Sequence, residues 1–152
     1  MPPAVEIDDL DKRILDVLQC DARISFAEIS RKLGVAEATV RFRVKRLLDN
    51  GFITKFSALL DPVKVGYNVS GAILLKIDPA HLEEVCTKLT SFNETRYLFQ
   101  STGEYDIVSV VLARDMAHLS ELVKKTKMLA GVKDARVSVT TRFLKFDPTI
   151  EL

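Results

Sequence analysis

The chain has 152 residues, of which 47% are hydrophobic and 28% charged, and its formal net charge is +1. Such a composition is typical of a folded globular protein with one ordinary domain or two small ones, and nothing in it indicates disorder. No run of about 18 apolar residues exists, so we expect no membrane-spanning helix and no membrane partner. The first residues have neither the basic start nor the apolar core of a secretion signal. Cys20 and Cys86 fit neither a metal pair nor a disulfide framework, which favours a reducing cytoplasm.

An amphipathic helix is predicted near the N-terminus, where apolar residues recur at helical spacing: Ile7, Leu10, Ile14, Val17 and Leu18. Asp8 or Asp9 can cap this helix, and its acidic first turn suits the positive end of the helix dipole. The stretch from Cys20 to Arg23 ends it. Together with the two helices that follow, it has enough apolar residues for a small three-helix core.

A second helix begins at Ser25, because Ser25 and Glu28 have the spacing of a capping box. Gly34 ends it and permits a backbone turn that a residue with a Cβ would strain. A third helix follows, from about Ala36 to Asn50. Two helices joined by a short glycine turn, the second one basic, form a helix-turn-helix pattern.

The third helix has a buried stripe of Val40, Val44 and Leu47. At about 100° per residue, its opposite face carries Phe42 among small and basic side chains. An exposed Phe could lack a function, or it could pack on a neighbouring domain. The interpretation we favour is a recognition helix, in which Phe42 contacts a thymine methyl or a sugar while the cations find phosphates and base edges. The candidate DNA-binding residues are Ser25, Glu37, Ala38, Thr39, Arg41, Phe42, Arg43, Lys45 and Arg46.

Positive charge is concentrated on this helix. Five cations and two carboxylates lie between Ala36 and Lys55, although the whole chain is nearly neutral. A local field of this kind suits a docking helix. Arg43 lies between the buried stripe and the exposed flank, and we expect it to serve affinity and not base choice. The expected partner is double-stranded DNA.

A β-prone run from Phe52 to Leu60 follows the third helix and is predicted to be a wing, a linking strand, or both. Asp61-Pro62 and Gly66 interrupt the pattern and indicate a domain boundary. The predicted organisation is a winged helix-turn-helix domain at residues 1–55, a linker strand or hinge at 56–66, and a second domain at 67–152.

The second domain has the order strand, helix, strand, strand, helix, strand. The strands are predicted at Val69 to Ile77, Arg96 to Ser101, Tyr105 to Ala113 and Ala135 to Phe146. Asp78-Pro79 starts one helix and Asp115 caps the other, and Thr102-Gly103-Glu104 makes the hairpin turn. This βαββαβ order is that of the ferredoxin-like sandwich, so the fold class is α+β.

The central strands of that sheet do not alternate between apolar and polar residues. Ala72 to Leu75 is apolar throughout, and so is nearly all of Ile107 to Leu112. The predicted helices can cover only one face of the sheet, and an antiparallel sheet with a wet second face should alternate. A second copy of the same sheet is the economical cover, so we expect a homodimer.

Four segments resemble the Lrp/AsnC family of transcription regulators, in the right order and spacing. LDKRILDVLQCDAR (10–23) is similar to the opening helix of the family, and ISRKLGVAEATVRFRVKRLLDNGFI (29–53) to its helix-turn-helix. DPVKVGY (61–67) resembles the hinge, and TGEYD (102–106) the turn of the effector domain. The resemblance implies a regulator that binds pseudo-palindromic promoter sites and assembles through its C-terminal sheets, often to tetramers or octamers. A polar residue is common in the family at the position of Phe42, so the resemblance does not indicate which operator sequence this chain binds.

The resemblance also implies that a free amino acid binds between C-terminal domains, near the glycine turn. The matching positions are Thr102, Gly103, Glu104, Tyr105 and Asp106, with Thr140 and Thr141 of the last strand. A glycine turn can offer backbone N–H groups to the carboxylate of an amino acid, and Asp106 can accept from its ammonium group. The alternative is that Gly103 only makes a hairpin and Asp106 only ends it.

Two rival functions remain open at this stage. An enzyme is one, because ferredoxin-like domains can host catalysis. His81 and His118 are isolated, however, and no nucleophile arrangement, metal-ligand spacing or phosphate loop occurs, so we expect no catalytic residue, no metal and no cofactor other than an amino-acid effector. The second rival is a DNA-organising protein with little sequence specificity and no effector, or a module whose helix-turn-helix serves protein contacts.

Overall fold

Residues 6–152 are described by a computed structural model, and the chain divides into two units. The first unit runs to Leu59 and also takes in the C-terminal segment Phe146–Leu152, while the second is Leu60–Lys145. The boundaries predicted from sequence, 1–55, 56–66 and 67–152, differ in giving the C-terminal segment to the second domain, and they stay a prediction.

Three helices form the first unit: α1 (Asp9–Cys20), α2 (Phe26–Leu33) and α3 (Glu37–Asp49). Capping boxes start α1 and α2, because the N-cap side chain and the side chain three residues later each accept from the other's backbone N–H. The pairs are Asp8 with Asp11 and Ser25 with Glu28. Gly34 follows α2 at φ 68°, in the left-handed region that favours glycine.

The core of the first unit is a single apolar cluster between the three helices. Its buried members come from every helix: Ile14, Leu18, Ile29, Val40, Val44 and Leu47. The stripe predicted on α3 is therefore the buried face of that helix.

Residues 52–68 contain no helix or strand. The wing or linking strand predicted at Phe52 to Leu60 is therefore not formed in a single chain, because no second strand in the described part of the first unit pairs with it. The C-terminal segment packs beside this stretch, and Gln19 of α1 holds it. The Gln19 amide donates from Nε2 to the Ile150 carbonyl (2.9 Å) and accepts at Oε1 from the Ile150 N–H (2.7 Å).

The second unit is a four-stranded antiparallel sheet with its helices on one face. The strands are β1 (Val69–Ile77), β2 (Thr95–Gln100), β3 (Ile107–Ala113) and β4 (Val132–Val139), in the spatial order β2-β3-β1-β4. One 3₁₀ turn (Pro79–His81) leads into α4 (Leu82–Thr90), and α5 (Met116–Lys127) follows β3. This is the predicted ferredoxin-like topology.

The last strand is shorter than predicted. It ends at Val139 and not at Phe146, because the Thr140 N–H bonds to the Ser70 carbonyl (2.8 Å) and β1 provides no partner beyond that point. Phe143 and Phe146 are β-prone and apolar, but they lie in extended chain outside the ladder and are exposed.

Helices α4 and α5 cover one face of the sheet and leave the other face open. Alternate residues such as Ile73, Leu75 and Val111 are buried under α4 and α5. The open face carries the residues between them, and many of these are apolar and only partly buried or exposed: Ala72, Leu74, Tyr97, Phe99, Val108, Val110 and Leu112. The same face also carries the polar residues Lys76, Arg136 and Ser138 towards β4. Tyr97 and Phe99 are 58% and 50% exposed, so the open face is an unusually apolar surface for a lone protomer.

Candidate DNA-binding surface and effector site

The outer face of α3 presents an aromatic side chain surrounded by small and charged ones. Phe42 is 64% exposed, opposite the buried Val40, Val44 and Leu47. Ala38 is exposed and Thr39 half-buried one turn before it. Because small side chains let the helix approach a surface closely, this face has the shape expected of a helix that lies in a groove.

One flank of α3 holds two exposed ion pairs within the helix. Arg41 contacts Glu37 (2.9 Å) and Lys45 contacts Asp49 (2.7 Å), both at the i,i+4 spacing. The Arg41 guanidinium also lies 5.2 Å from the centre of the Phe26 ring, which tethers it towards α2. Exposed pairs of this kind contribute little stability and exchange readily with other anions.

The other flank of α3 is tied to α1. Arg43 contacts Asp8 (2.5 Å) and both oxygens of Asp11 (3.2 Å each), and Arg46 contacts Asp11 as well. Asp11 is completely buried, whereas the Arg43 and Arg46 side chains are 22% and 30% exposed. Arg43 and Arg46 therefore connect α3 to the start of α1.

The pKa of the Asp8 carboxyl reflects this environment. The Asp11 backbone N–H donates to Asp8, and the Arg43 guanidinium donates to it as well, so its pKa falls to about 2. The same contact with Asp8 raises the pKa of Arg43.

Two of the predicted DNA-binding residues have a structural partner of their own. The Ser25 hydroxyl caps α2 and donates to Glu28 (2.7 Å), and Glu37 pairs with Arg41. Sequence reasoning named Asp8 as a candidate cap but missed the pairing of Asp8 and Asp11 with Arg43 and Arg46. A usable signal was present, since two acids three residues apart at the start of α1 match two arginines three residues apart on α3.

The predicted effector turn lies between β2 and β3. Thr102, Gly103 and Glu104 are exposed, and Gly103 has φ 115°. Asp106 closes the turn against the sheet: its N–H donates to the Leu75 carbonyl (2.8 Å), and its carboxylate accepts from the Ile77 N–H (2.7 Å). The carboxylate is exposed and has acceptor capacity beyond that one bond.

Tyr105 is nine-tenths buried beside this turn and is bracketed by two cations. The Lys76 ammonium and the Arg136 guanidinium lie 5.5 and 5.7 Å from the centre of its ring. Its hydroxyl is buried with no hydrogen-bond partner among the described residues, and burial raises the pKa of the phenol. Lys76 also pairs with Glu104 (3.6 Å). Sequence reasoning missed Lys76 and Arg136, which only the sheet register brings to Tyr105.

Thr140 and Thr141 are not brought to this turn within one chain. Thr140 bonds to Ser70, near the start of β1, whereas Asp106 bonds to Leu75 and Ile77 at the other end of that strand. Since β4 runs antiparallel to β1, its end lies at the opposite edge of the sheet from the turn. A site that uses both sets of residues needs a second copy of the chain.

His118 has structural contacts, whereas the ring Nδ1 of His81 is buried without a hydrogen-bond partner among the described residues. His118 accepts at Nδ1 from the Arg114 N–H (3.2 Å), so its Nε2 carries the proton that points at Glu94 (3.0 Å). No group of three or more His, Cys, Asp or Glu side chains in residues 6–152 is arranged to hold a metal ion. No helix in that range is long and apolar enough to span a membrane.

Comparison with known proteins agrees with this architecture. An AsnC-type helix-turn-helix domain model matches residues 7–48, and an Lrp/AsnC ligand binding domain model matches residues 71–150. An uncharacterised HTH-type transcriptional regulator of Pyrococcus furiosus is 43% identical over 92% of this chain and 95% of its own. HTH-type transcriptional regulator LrpA of Pyrococcus horikoshii is 39% identical over 91% of this chain and 99% of its own.

Solved structures show the same fold. AsnC of Escherichia coli superposes with a TM-score of 0.90 at 27% identity, over 97% of this chain and all of that one. A transcriptional regulator of Neisseria meningitidis, solved as a complex with L-Met, gives 0.90 at 26% identity, over 95% and 96% of the two chains.

A three-helix helix-turn-helix unit joined to a ferredoxin-like unit defines a DNA-binding transcription regulator and not an enzyme. The two family models together span most of the sequence, and the chain belongs to the Lrp/AsnC family.

Proposed function

We propose that the protein is a sequence-specific regulator that binds a pseudo-palindromic promoter site as a dimer and responds to a free amino acid. The observation that carries the DNA-binding part is the outer face of α3, where Phe42 is 64% exposed between two cationic flanks. A large apolar ring in that position gains from a groove that offers thymine methyl groups and sugars. The candidate contacts on this face are Ala38, Thr39, Arg41, Phe42 and Lys45, with Ser25 and Glu37 at its edge.

The open face of the sheet supports the dimer. Leu74, Val110 and Phe99 lie on that face with no cover from α4 or α5, and a second copy of the face would bury them. Dimers match palindromic DNA because two-fold symmetry in the protein mirrors two-fold symmetry in the site. Assembly beyond the dimer, to a tetramer or an octamer, and a cytoplasmic location are proposed from the family alone.

The effector part rests on the turn after β2 and on the ligand-binding family model. Exposed N–H groups at the Gly103 turn suit the carboxylate of an amino acid, with Lys76 and Arg136 near it. Asp106 and Glu104 are acceptors for its ammonium group. The Neisseria meningitidis regulator was solved with L-Met, which supports a small amino acid as the class of ligand.

Competition binding tests the DNA part. We expect a clear preference for the duplex upstream of the protein's own gene over a shuffled duplex of the same length and composition. Equal affinity for both would favour the DNA-organising alternative.

A thermal-shift screen of the twenty amino acids tests the effector part. One of them should raise the melting temperature or change the sedimentation coefficient at millimolar concentration, and Asp106→Asn should abolish that response. Flat curves for all twenty would argue against an amino-acid effector while leaving the DNA-binding proposal intact.

A further inference from the structure

All four cations of α3 are paired with carboxylates, but the two flanks of the helix place those carboxylates differently. Arg41 and Lys45 pair with Glu37 and Asp49 on α3 itself, and the four side chains are between 47% and 74% exposed. Arg43 and Arg46 pair with carboxylates of α1, one of which, Asp11, is fully buried. The exposed pairs lie in high dielectric and are held weakly.

The buried carboxylate makes the second flank hard to dissociate. The polar partners of Asp11 are the two guanidinium groups and the Asp8 N–H, which donates to it at 3.0 Å. Moving either arginine towards a phosphate would leave a buried charge with too little compensation, which is strongly unfavourable. The Nε atom of Arg46 is buried without a hydrogen-bond partner among the described residues. Burial of this unpaired donor is unfavourable, so the contact with Asp11 must outweigh it to keep the side chain in this position.

We propose that Asp11 divides the cations of α3 into two roles. Arg41 and Lys45 exchange their carboxylate partners for DNA phosphates, whereas Arg43 and Arg46 remain on Asp11 and fix the angle of the recognition helix. Asp11 is thus a positioning residue for base readout, acting through Arg43 and Arg46. The proposal rests on the DNA-binding function proposed for α3 and assigns its individual residues.

Salt dependence of DNA binding separates the two flanks. The wild-type protein first selects its preferred duplex from a random pool, and affinity for that duplex is then measured across a range of KCl concentrations. Each phosphate contact contributes about 0.9 to the slope of log K against log salt. A dimer carrying Arg41→Gln should therefore lose about 1.8 from the slope, and so should one carrying Lys45→Gln. A dimer carrying Arg43→Gln should keep the wild-type slope.

The positioning role of Asp11 is tested by measuring the base preference of the protein. Asp11→Asn keeps the size of the side chain and removes its charge, so the ratio of affinities for the selected duplex and a shuffled duplex should fall by about tenfold, the discrimination of one good base contact. The slope of log K against log salt for Asp11→Asn should be equal to or steeper than that of the wild type, because Arg43 and Arg46 are released and can then contact phosphates. A purely structural role would lower the folded fraction and weaken binding to both duplexes alike, leaving the ratio unchanged.

Asp8→Asn provides the same test if Asp11→Asn does not fold, because Asp8 is half exposed and pairs with Arg43 but not with Arg46. The ratio of affinities for the selected and the shuffled duplex should also fall in Asp8→Asn, but by less than in Asp11→Asn. A loss of slope in Arg43→Gln as large as that in Arg41→Gln, or an unchanged ratio in both aspartate variants, would overturn the proposal. Failure of the wild-type protein to enrich any duplex would instead overturn the proposed function.

Discussion

The exposed ring of Phe42 allows the DNA-binding proposal to be tested with a predicted magnitude. A Phe side chain has roughly 200 Å² of surface, and 64% of Phe42 is exposed, which leaves about 130 Å². If DNA covers half of that area, at about 25 cal/mol per Å² the contact contributes about 1.5 kcal/mol, or about tenfold in Kd. Two such contacts in a dimer make about 100-fold. Phe42→Ala should weaken operator binding by that amount.

The stability of the free protein should hardly change, because Phe42→Ala removes an exposed ring and leaves no cavity. A surface substitution of this kind shifts the free energy of unfolding by about 0.5 kcal/mol or less. The assay is a fluorescence-anisotropy titration of a labelled operator, with urea unfolding of the same samples. Phe143→Ala is a matched control, since Phe143 is 58% exposed and lies outside α3. Equal affinities for the two variants, or a loss of more than about 2 kcal/mol of stability in Phe42→Ala, would refute the reasoning.

Three further substitutions test the core, the open sheet face and the charge network. Leu47→Ala removes a fully buried side chain from the first unit and should destabilise that unit by about 2–5 kcal/mol in urea; a loss below about 1 kcal/mol would contradict the packing described. Leu74→Arg puts a charge on the open face, so sedimentation should show monomers where the wild type is dimeric, and an unaltered dimer would exclude this face as the interface. The pKa of Asp8 is lowered to about 2, so its ionised form stabilises the fold above its ordinary pKa of 3.8 and the contribution is lost as pH falls towards 2. The melting-temperature difference between wild type and Asp8→Asn should therefore be largest above pH 4 and disappear near pH 2. A difference that is constant with pH would argue against the contacts of the ionised Asp8 carboxylate with the Asp11 N–H and with Arg43.

Local chemistry accounts for the elements that the sequence predicted well. Ser25 and Glu28 form a capping box whose atoms are three residues apart, and Gly34 adopts the φ of 68° that its position after α2 requires. The period of Val40, Val44 and Leu47 places them on one side of a helix regardless of what the helix packs against. The sheet topology could also be predicted from the sequence, because only a few topologies are possible for four strands connected by helices in this order.

The positions that sequence did not predict depend on partners far along the chain. Asp11 would ordinarily be assigned to solvent, since a buried carboxylate is tolerated only when it is paired. Its partners Arg43 and Arg46 lie 32 and 35 residues away, so the periodicity of one helix does not identify them, and only the matching spacing of the two acids and the two arginines indicates the pairing. Similarly, Phe143 and Phe146 have the composition of a strand, but a strand ends where its neighbour has no more backbone groups to offer.

The near-neutral charge of the chain gives a physical reason for the proposed binding of DNA through two copies of α3. With a net charge of +1, the protein has little general attraction to DNA. If only Arg41 and Lys45 exchange to phosphates, each α3 gains a modest salt-dependent affinity, and the contact of Phe42 is largely independent of salt. One such helix would bind too weakly to select a site at physiological salt. Two of them, held on one dimer, convert the second binding step into an intramolecular one, so their free energies combine. If the open sheet face forms the proposed dimer interface, we expect promoter occupancy to depend on that interface as well as on α3. We expect a ligand at the proposed effector turn beside Tyr105 to change DNA binding through the dimer, without contact with DNA.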